Sequence, residues 1–166
     1  HHSKVASLRL QEVAEWTEAN AQAINIIFET AAQEHPAAQD FLQHLNDGQN
    51  LTLVERASQI RDWMYQNRGA LATVEDLDLC RLSLTYLPPE IGLFQGLRTL
   101  NLSHNQLTEL PAQIGNLRML VILCLNNNQL RERPRGFENR SQLMIYLKGN
   151  PFIRNRGTKR RQETEK

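Results

Sequence analysis

Residues 97–116 read LRTLNLSHNQLTELPAQIGN, and the chain continues LRMLVILCLNNNQLRERPRGFEN, so the same frame returns 23 residues later. Leu97, Leu100, Leu102, Asn105 and Leu107 correspond to Leu120, Leu123, Leu125, Asn128 and Leu130. One step further back gives Val74, Leu77, Leu79, Leu82, Leu84 and Leu87, with Leu82 where the asparagine stands elsewhere. Each period has a second half: PPEIGLF at 88–94, PAQIGNL at 111–117 and PRGFENR at 134–140. Self-similarity at a fixed period describes a chain that coils, each turn burying its apolar side against the next.

The spacing can be followed physically. In L-x-x-L-x-L the alternating leucines of a short strand point one way, so Leu100 and Leu102 enter the core while Asn101 and Ser103 face outward. Parallel strands from successive turns then line one sheet. Pro88, Pro111 and Pro134 open the return segments, where a fixed φ and a missing N–H suit an irregular or short helical crossover. The frame shortens by one residue between Asn128 and Asn150, which turns Ile145 and Leu147 inward and Met144 and Tyr146 outward.

Over residues 74–153 this pattern resembles leucine-rich repeats of the 23-residue L-P-x-x-I-G-x-L type, and GNPF at 149–152 resembles the closing phrase of such arrays. The resemblance implies an α/β fold: a short leucine-rich-repeat solenoid of about four repeats with a parallel concave sheet. It also implies that Asn105, Asn128 and Asn150 form a partial ladder, their amides bonding backbone groups that a buried bend would leave unpaired.

Upstream the chain changes character. Residues 3–34 place Val5, Leu8, Val13, Trp16, Ile24, Ile27, Phe28 and Ala31 at mostly helical intervals, with an interruption near Asn20 and a stop at His35-Pro36. A second helix over Pro36 to Asn46 is expected to bury Phe41, Leu42 and Leu45 before an Asp47-Gly48 turn. Thr52 and Glu55 fit a capping box opening a third helix that buries Val54, Ala57, Ile60, Trp63 and Met64 and stops at Gly69. The expected division is a helical region at 1–51 (His1 and His2 a tag remnant), a capping helix and lead-in at 52–73, repeats at 74–153 and a basic polar tail at 154–166. The run RASQIRDWMYQNRGALATVEDLDL resembles the leader of leucine-rich repeat effectors that bacteria deliver into eukaryotic cells. That second resemblance implies a host protein as partner, and a setting either cytoplasmic or secreted by a bacterium into a host cell.

Composition narrows the classes of function. No stretch approaches the ~18 apolar residues a membrane helix needs, and the N-terminus lacks a signal pattern, so a soluble chain is expected. Residues 1–73 hold five Lys/Arg against nine Asp/Glu, and residues 154–166 hold six against two. With a net charge of +1 overall, the chain falls far short of a strongly basic nucleic-acid binder. Cys80 and Cys124 are expected to be free thiols, consistent with a reducing compartment. No zinc spacing, phosphate loop or nucleophile elbow occurs, and spacing gives His44 and His104 no catalytic partner. The ligase-type relatives carry a catalytic domain after the repeats, for which the residues past Asn150 leave no room. No catalytic residue, metal or cofactor is expected, and the chain reads as a non-enzymatic module.

Function is therefore sought on the outward strand positions. One column across the sheet runs Asp76, Thr99, Ile122, Met144 and the next runs Asp78, Asn101, Cys124, Tyr146, a gradient from acidic to apolar. With Val121 alongside, the apolar end is a contiguous patch of the kind that marks a protein-binding surface. The alternative is a homotypic scaffold, with homo-oligomers formed through residues 1–51. Arg133 and Arg140 occupy positions that are apolar in the other periods and are expected to snorkel to solvent. The sharper reading joins Arg131, Arg133, Arg135 and Arg140 to the tail arginines as a basic end that docks an acidic partner, nucleic acid or anionic lipid.

Overall fold

The computed structural model describes the backbone of residues 2–152 and the side chains of residues 17–152. The tail at 154–166 and the side chains of Val5, Leu8, Val13 and Trp16 lie outside the described residues. Four helices precede a sheet of four parallel strands: α1 (His2–Ala32), α2 (Pro36–Asn46), α3 (Leu53–Gln66), α4 (Arg68–Leu71), β1 (Asp76–Asp78), β2 (Thr99–Asn101), β3 (Ile122–Cys124) and β4 (Met144–Tyr146). The strands lie in the order β1-β2-β3-β4. Short 3-10 turns, Pro89–Leu93 and Ala112–Asn116, fill the first two returns, each entered from an extended proline, Pro88 or Pro111. The third return, opened by Pro134, forms no helix.

The helices show why three expectations fail. α1 runs unbroken past Asn20. Ala21, Ile24, Ile27, Phe28 and Ala31 are buried along it, so packing outweighs the weak helix propensity of one asparagine. Val54 is 44% exposed rather than buried, because the cover over α3 begins a turn later with Ala57, Ile60 and Met64. Gly69 does not stop α3. The stop is Asn67, whose backbone N–H and Nδ2 both donate to the Trp63 carbonyl (2.9 and 2.8 Å), and Gly69 lies inside the single turn of α4. The capping box is present: Thr52 Oγ1 accepts from the Glu55 N–H (3.2 Å), and Glu55 Oε2 accepts from the Thr52 N–H (2.8 Å).

Two clusters lock the helices together. Phe28, Phe41 and Trp63, one from each of α1, α2 and α3, meet with ring centroids 5.2–5.9 Å apart. Phe41 and Leu42 pack on the core but are only partly buried. Arg56 on α3 donates to Asn25 Oδ1 (2.8 Å), Asn46 Oδ1 (2.6 Å) and Glu29 Oε1 (3.1 Å), a planar fork satisfied on several sides. The buried residues of α1–α4 and of the strands form one continuous hydrophobic cluster. α3 is further tied to the first return by an ion pair, Arg61 Nε to Glu90 Oε1 at 2.7 Å. Arg61 remains a third exposed while the Glu90 carboxylate is nearly buried.

Candidate partner-binding face

What positions the face is the turn that follows each strand. Arg81, His104, Asn127 and Gly149 all have φ between 55° and 79°, a left-handed step that reverses the chain. At Gly149 glycine is favoured, because a Cβ would displace the Asn127 carboxamide. The next residue in the last three turns is an asparagine aimed inward. Asn105 Nδ2 donates to the carbonyls of Leu79 (2.8 Å) and Leu102 (2.9 Å). Asn128 Nδ2 donates to Leu102 (2.9 Å) and Leu125 (3.1 Å), and Asn150 Nδ2 to Leu125 (2.8 Å) and Leu147 (2.9 Å). Amides and carbonyls thus alternate in a ladder across the sheet. Leu82, standing where an asparagine would begin it, is partly exposed. Its turn is held instead by the next unit, Asn105 Oδ1 accepting from the N–H groups of Leu82 (3.1 Å) and Leu84 (3.0 Å).

The strand register brings the expected columns together. Asp76, Thr99, Ile122 and Met144 are aligned partners, as are Asp78, Asn101, Cys124 and Tyr146. Leu77, Leu100 and Leu123 between them are buried, so the columns share the opposite face. Asp76 and Asp78 are exposed, Thr99, Asn101, Ile122 and Cys124 are half-buried, and Met144 (48%), Tyr146 (45%) and Val121 (38%) stand out into solvent. Tyr146 Oη lies 4.0 Å from Met144 Sδ, so the two side chains adjoin on the surface.

Two of these side chains are already occupied. Asp78 Oδ1 accepts from the Cys80 N–H (3.0 Å) and Asn101 Oδ1 from the Ser103 N–H (3.1 Å), local turns that Asp and Asn favour. Cys124 and Tyr146 stand at the same position and offer no such acceptor, so their side chains are left to the surface. Ser103 was expected outward but is buried at 8%, the smallest member of a row that continues through Cys80 and Asn126. Both cysteines are free and half-buried. Burial pushes the Cys124 thiol above its ordinary pKa, and Asp78 and Cys80 raise it further.

Pattern reading overlooked Met119, 51% exposed beside Leu120. The repeat gave no signal, since the equivalent position one period earlier is Gly96, which sits tight against the Ala72 carbonyl. Of the two arginines at apolar positions, Arg140 departs from expectation. Arg140 does not simply reach for solvent: it is half-buried, donates to the Leu120 carbonyl (3.0 Å) and lies over the Phe137 ring at 5.5 Å. Arg133 is exposed, with its guanidinium 5.7 Å from the Phe152 ring centre. Among the described residues no cluster of His, Cys, Asp or Glu could hold a metal ion, and no helix is long and apolar enough to cross a membrane.

A buried strand, a left-handed turn, an inward asparagine and a short return make up a leucine-rich repeat unit. Residues 96–117, which contain β2, Asn105 and the second return, match the family described as Leucine Rich Repeat. Repeats of that family generally serve as protein–protein interaction modules. No curated protein matches the chain.

Proposed function

We propose that the chain is a non-enzymatic recognition module whose concave sheet face holds a partner protein. The observation that carries this is the apolar quarter of that face, with Val121, Met144 and Tyr146 exposed and Ile122 and Cys124 half-buried beside them, on a register that buries every intervening leucine of β1–β3. Asp76 and Asp78 at the other side, with Thr99 and Asn101 between, give the contact a polar and acidic margin. In this reading residues 74–153 form a four-turn solenoid, and residues 52–73 cap its first strand, supported by the Arg61–Glu90 pair. The resemblance of the leader to bacterial effectors makes a host protein the natural partner. The homotypic alternative, which runs through residues 1–51, draws less support, because the described large apolar side chains of α1 and α2 pack within the chain.

The test is a double substitution, Ile122→Arg with Tyr146→Glu, compared with the native chain in affinity capture from a eukaryotic lysate and in thermal unfolding. Loss of captured protein with an unchanged melting temperature is the expected result. Capture that survives the double variant overturns the proposal.

A further inference from the structure

β4 is the last strand of the described sheet, and it is built to be continued. Its even-numbered residues turn to β3: the Met144 N–H donates to the Val121 carbonyl (2.9 Å), and the carbonyls of Tyr146 and Lys148 accept from the N–H groups of Leu125 and Asn127 (2.8 Å each). A period of two then directs the N–H and C=O of Ile145 and Leu147 away from the sheet, where no described strand meets them. The apolar side is open at the same place. Leu123 and Leu125 are fully buried, whereas their counterparts Ile145 and Leu147 are only half-buried. The ladder likewise ends on spare capacity. The carbonyls of Leu102 and Leu125 each accept two asparagine amides, and among the described residues that of Leu147 accepts one. The other margin differs, since α1 packs against β1, and Leu77 and Leu79 are buried.

We propose that this margin takes up an extended segment of a partner protein as an added strand, and that the segment is acidic with apolar residues at every second position. The apolar residues follow from the half-buried Ile145 and Leu147, which need cover on one face only. The acidity follows from charge. Residues 130–150, the last described turn, carry five cations (Arg131, Arg133, Arg135, Arg140, Lys148) against Glu132 and Glu138, a net +3 on the turn that bears the open edge. That charge opposes a second copy docking edge to edge. The chain's own residues 153–166 have the wrong chemistry, with Ile153 their only aliphatic side chain among many basic ones.

The test uses short fluorescein-labelled peptides alternating Leu with Glu, Leu with Lys, and Ser with Glu, read by fluorescence anisotropy on the full chain. The Leu–Glu peptide is expected to bind, more weakly as salt rises, and the other two are not. Ile145→Pro removes an N–H that faces outward, a substitution edge strands tolerate, together with a half-buried apolar side chain, and is expected to weaken binding about tenfold. Lys148→Glu, at an exposed side chain, should also weaken it, and decides the matter alone if Ile145→Pro unfolds. Equal binding of the Leu–Glu and Leu–Lys peptides, no binding of either, or binding unchanged in these variants overturns the proposal. So does a self-paired native chain that Ile145→Pro makes monomeric in sedimentation. Leu–Glu binding must survive Ile122→Arg, so this edge and the sheet face stand or fall separately.

Discussion

Asn128→Ala should rank with Asn105→Ala among the costlier truncations of a polar side chain beside the sheet. Asn128 is 0% exposed and makes three short backbone bonds, two donated, to the carbonyls of Leu102 (2.9 Å) and Leu125 (3.1 Å), and one accepted, from the Leu107 N–H (3.1 Å), besides a long one to the Asn126 carbonyl (3.5 Å). The losses are unequal. Each carbonyl keeps another amide, from Asn105 or Asn150, so each broken bond costs its net value of about 0.5–1.5 kcal/mol. The Leu107 N–H loses its side-chain acceptor at a fully buried residue, a desolvation cost of about 1–3 kcal/mol. The total centres on about 4 kcal/mol, a large share of the ~5–15 kcal/mol that holds a typical domain. Asn150→Ala should lose about half as much, because Asn150 is only half-buried and water can reach its partners. Asn128→Asp keeps an acceptor for Leu107 but turns a buried carboxylate toward two carbonyls, and should be worse than alanine. Urea unfolding at constant pH measures all three, with an unchanged slope marking intact native compactness. A loss under about 1 kcal/mol for Asn128→Ala, or a larger one for Asn150→Ala, would refute the ladder as the source of rigidity.

Arg61→Ala strands the nearly buried Glu90 carboxylate and should cost about 2–4 kcal/mol in urea unfolding, somewhat less than a fully buried pair because Arg61 is a third exposed; replacing both residues with leucine should restore much of the loss. Thr52→Ala removes the α3 cap and should cost about 0.5–2 kcal/mol. The Thr52 backbone and side-chain bonds hold the Glu55 carboxyl below its ordinary pKa. That contribution is therefore complete above the unfolded value and fades as pH falls through the folded one, so thermal melts of native and Glu55→Gln chains should converge in acid. In a Cys80→Ser background, iodoacetamide should label Cys124 more slowly than free cysteine at the same pH, and Asp78→Asn should speed it, since burial and then the Asp78 charge raise the thiol pKa.

Much of the sheet was legible because its information is periodic. A leucine every 23 residues fixes which neighbours touch, so the two columns follow from counting, and the asparagine ladder followed from the resemblance to leucine-rich repeats. What counting misses depends on partners distant in sequence. Val54 lies on the apolar side of α3, but nothing in its spacing tells where the cover begins. Arg140 sits at a leucine position, and only the placement of the Leu120 carbonyl and Phe137 shows how a charge is tolerated there. Asn67 rather than Gly69 ends α3, because a side-chain amide satisfied the last carbonyls before glycine was needed. On the candidate face the columns were readable, but not that Asp78 and Asn101 spend an oxygen on their own backbone.

The single core shared by helices and strands sets a rule for lengthening or trimming this molecule. Stripping away α1–α3 would bare Leu77, Leu79 and Leu84 to water, so the leading segment is a foundation rather than an ornament. Growth or loss of whole periods is tolerable only at the far margin, which makes β4 the place where related chains of different reach would be expected to diverge.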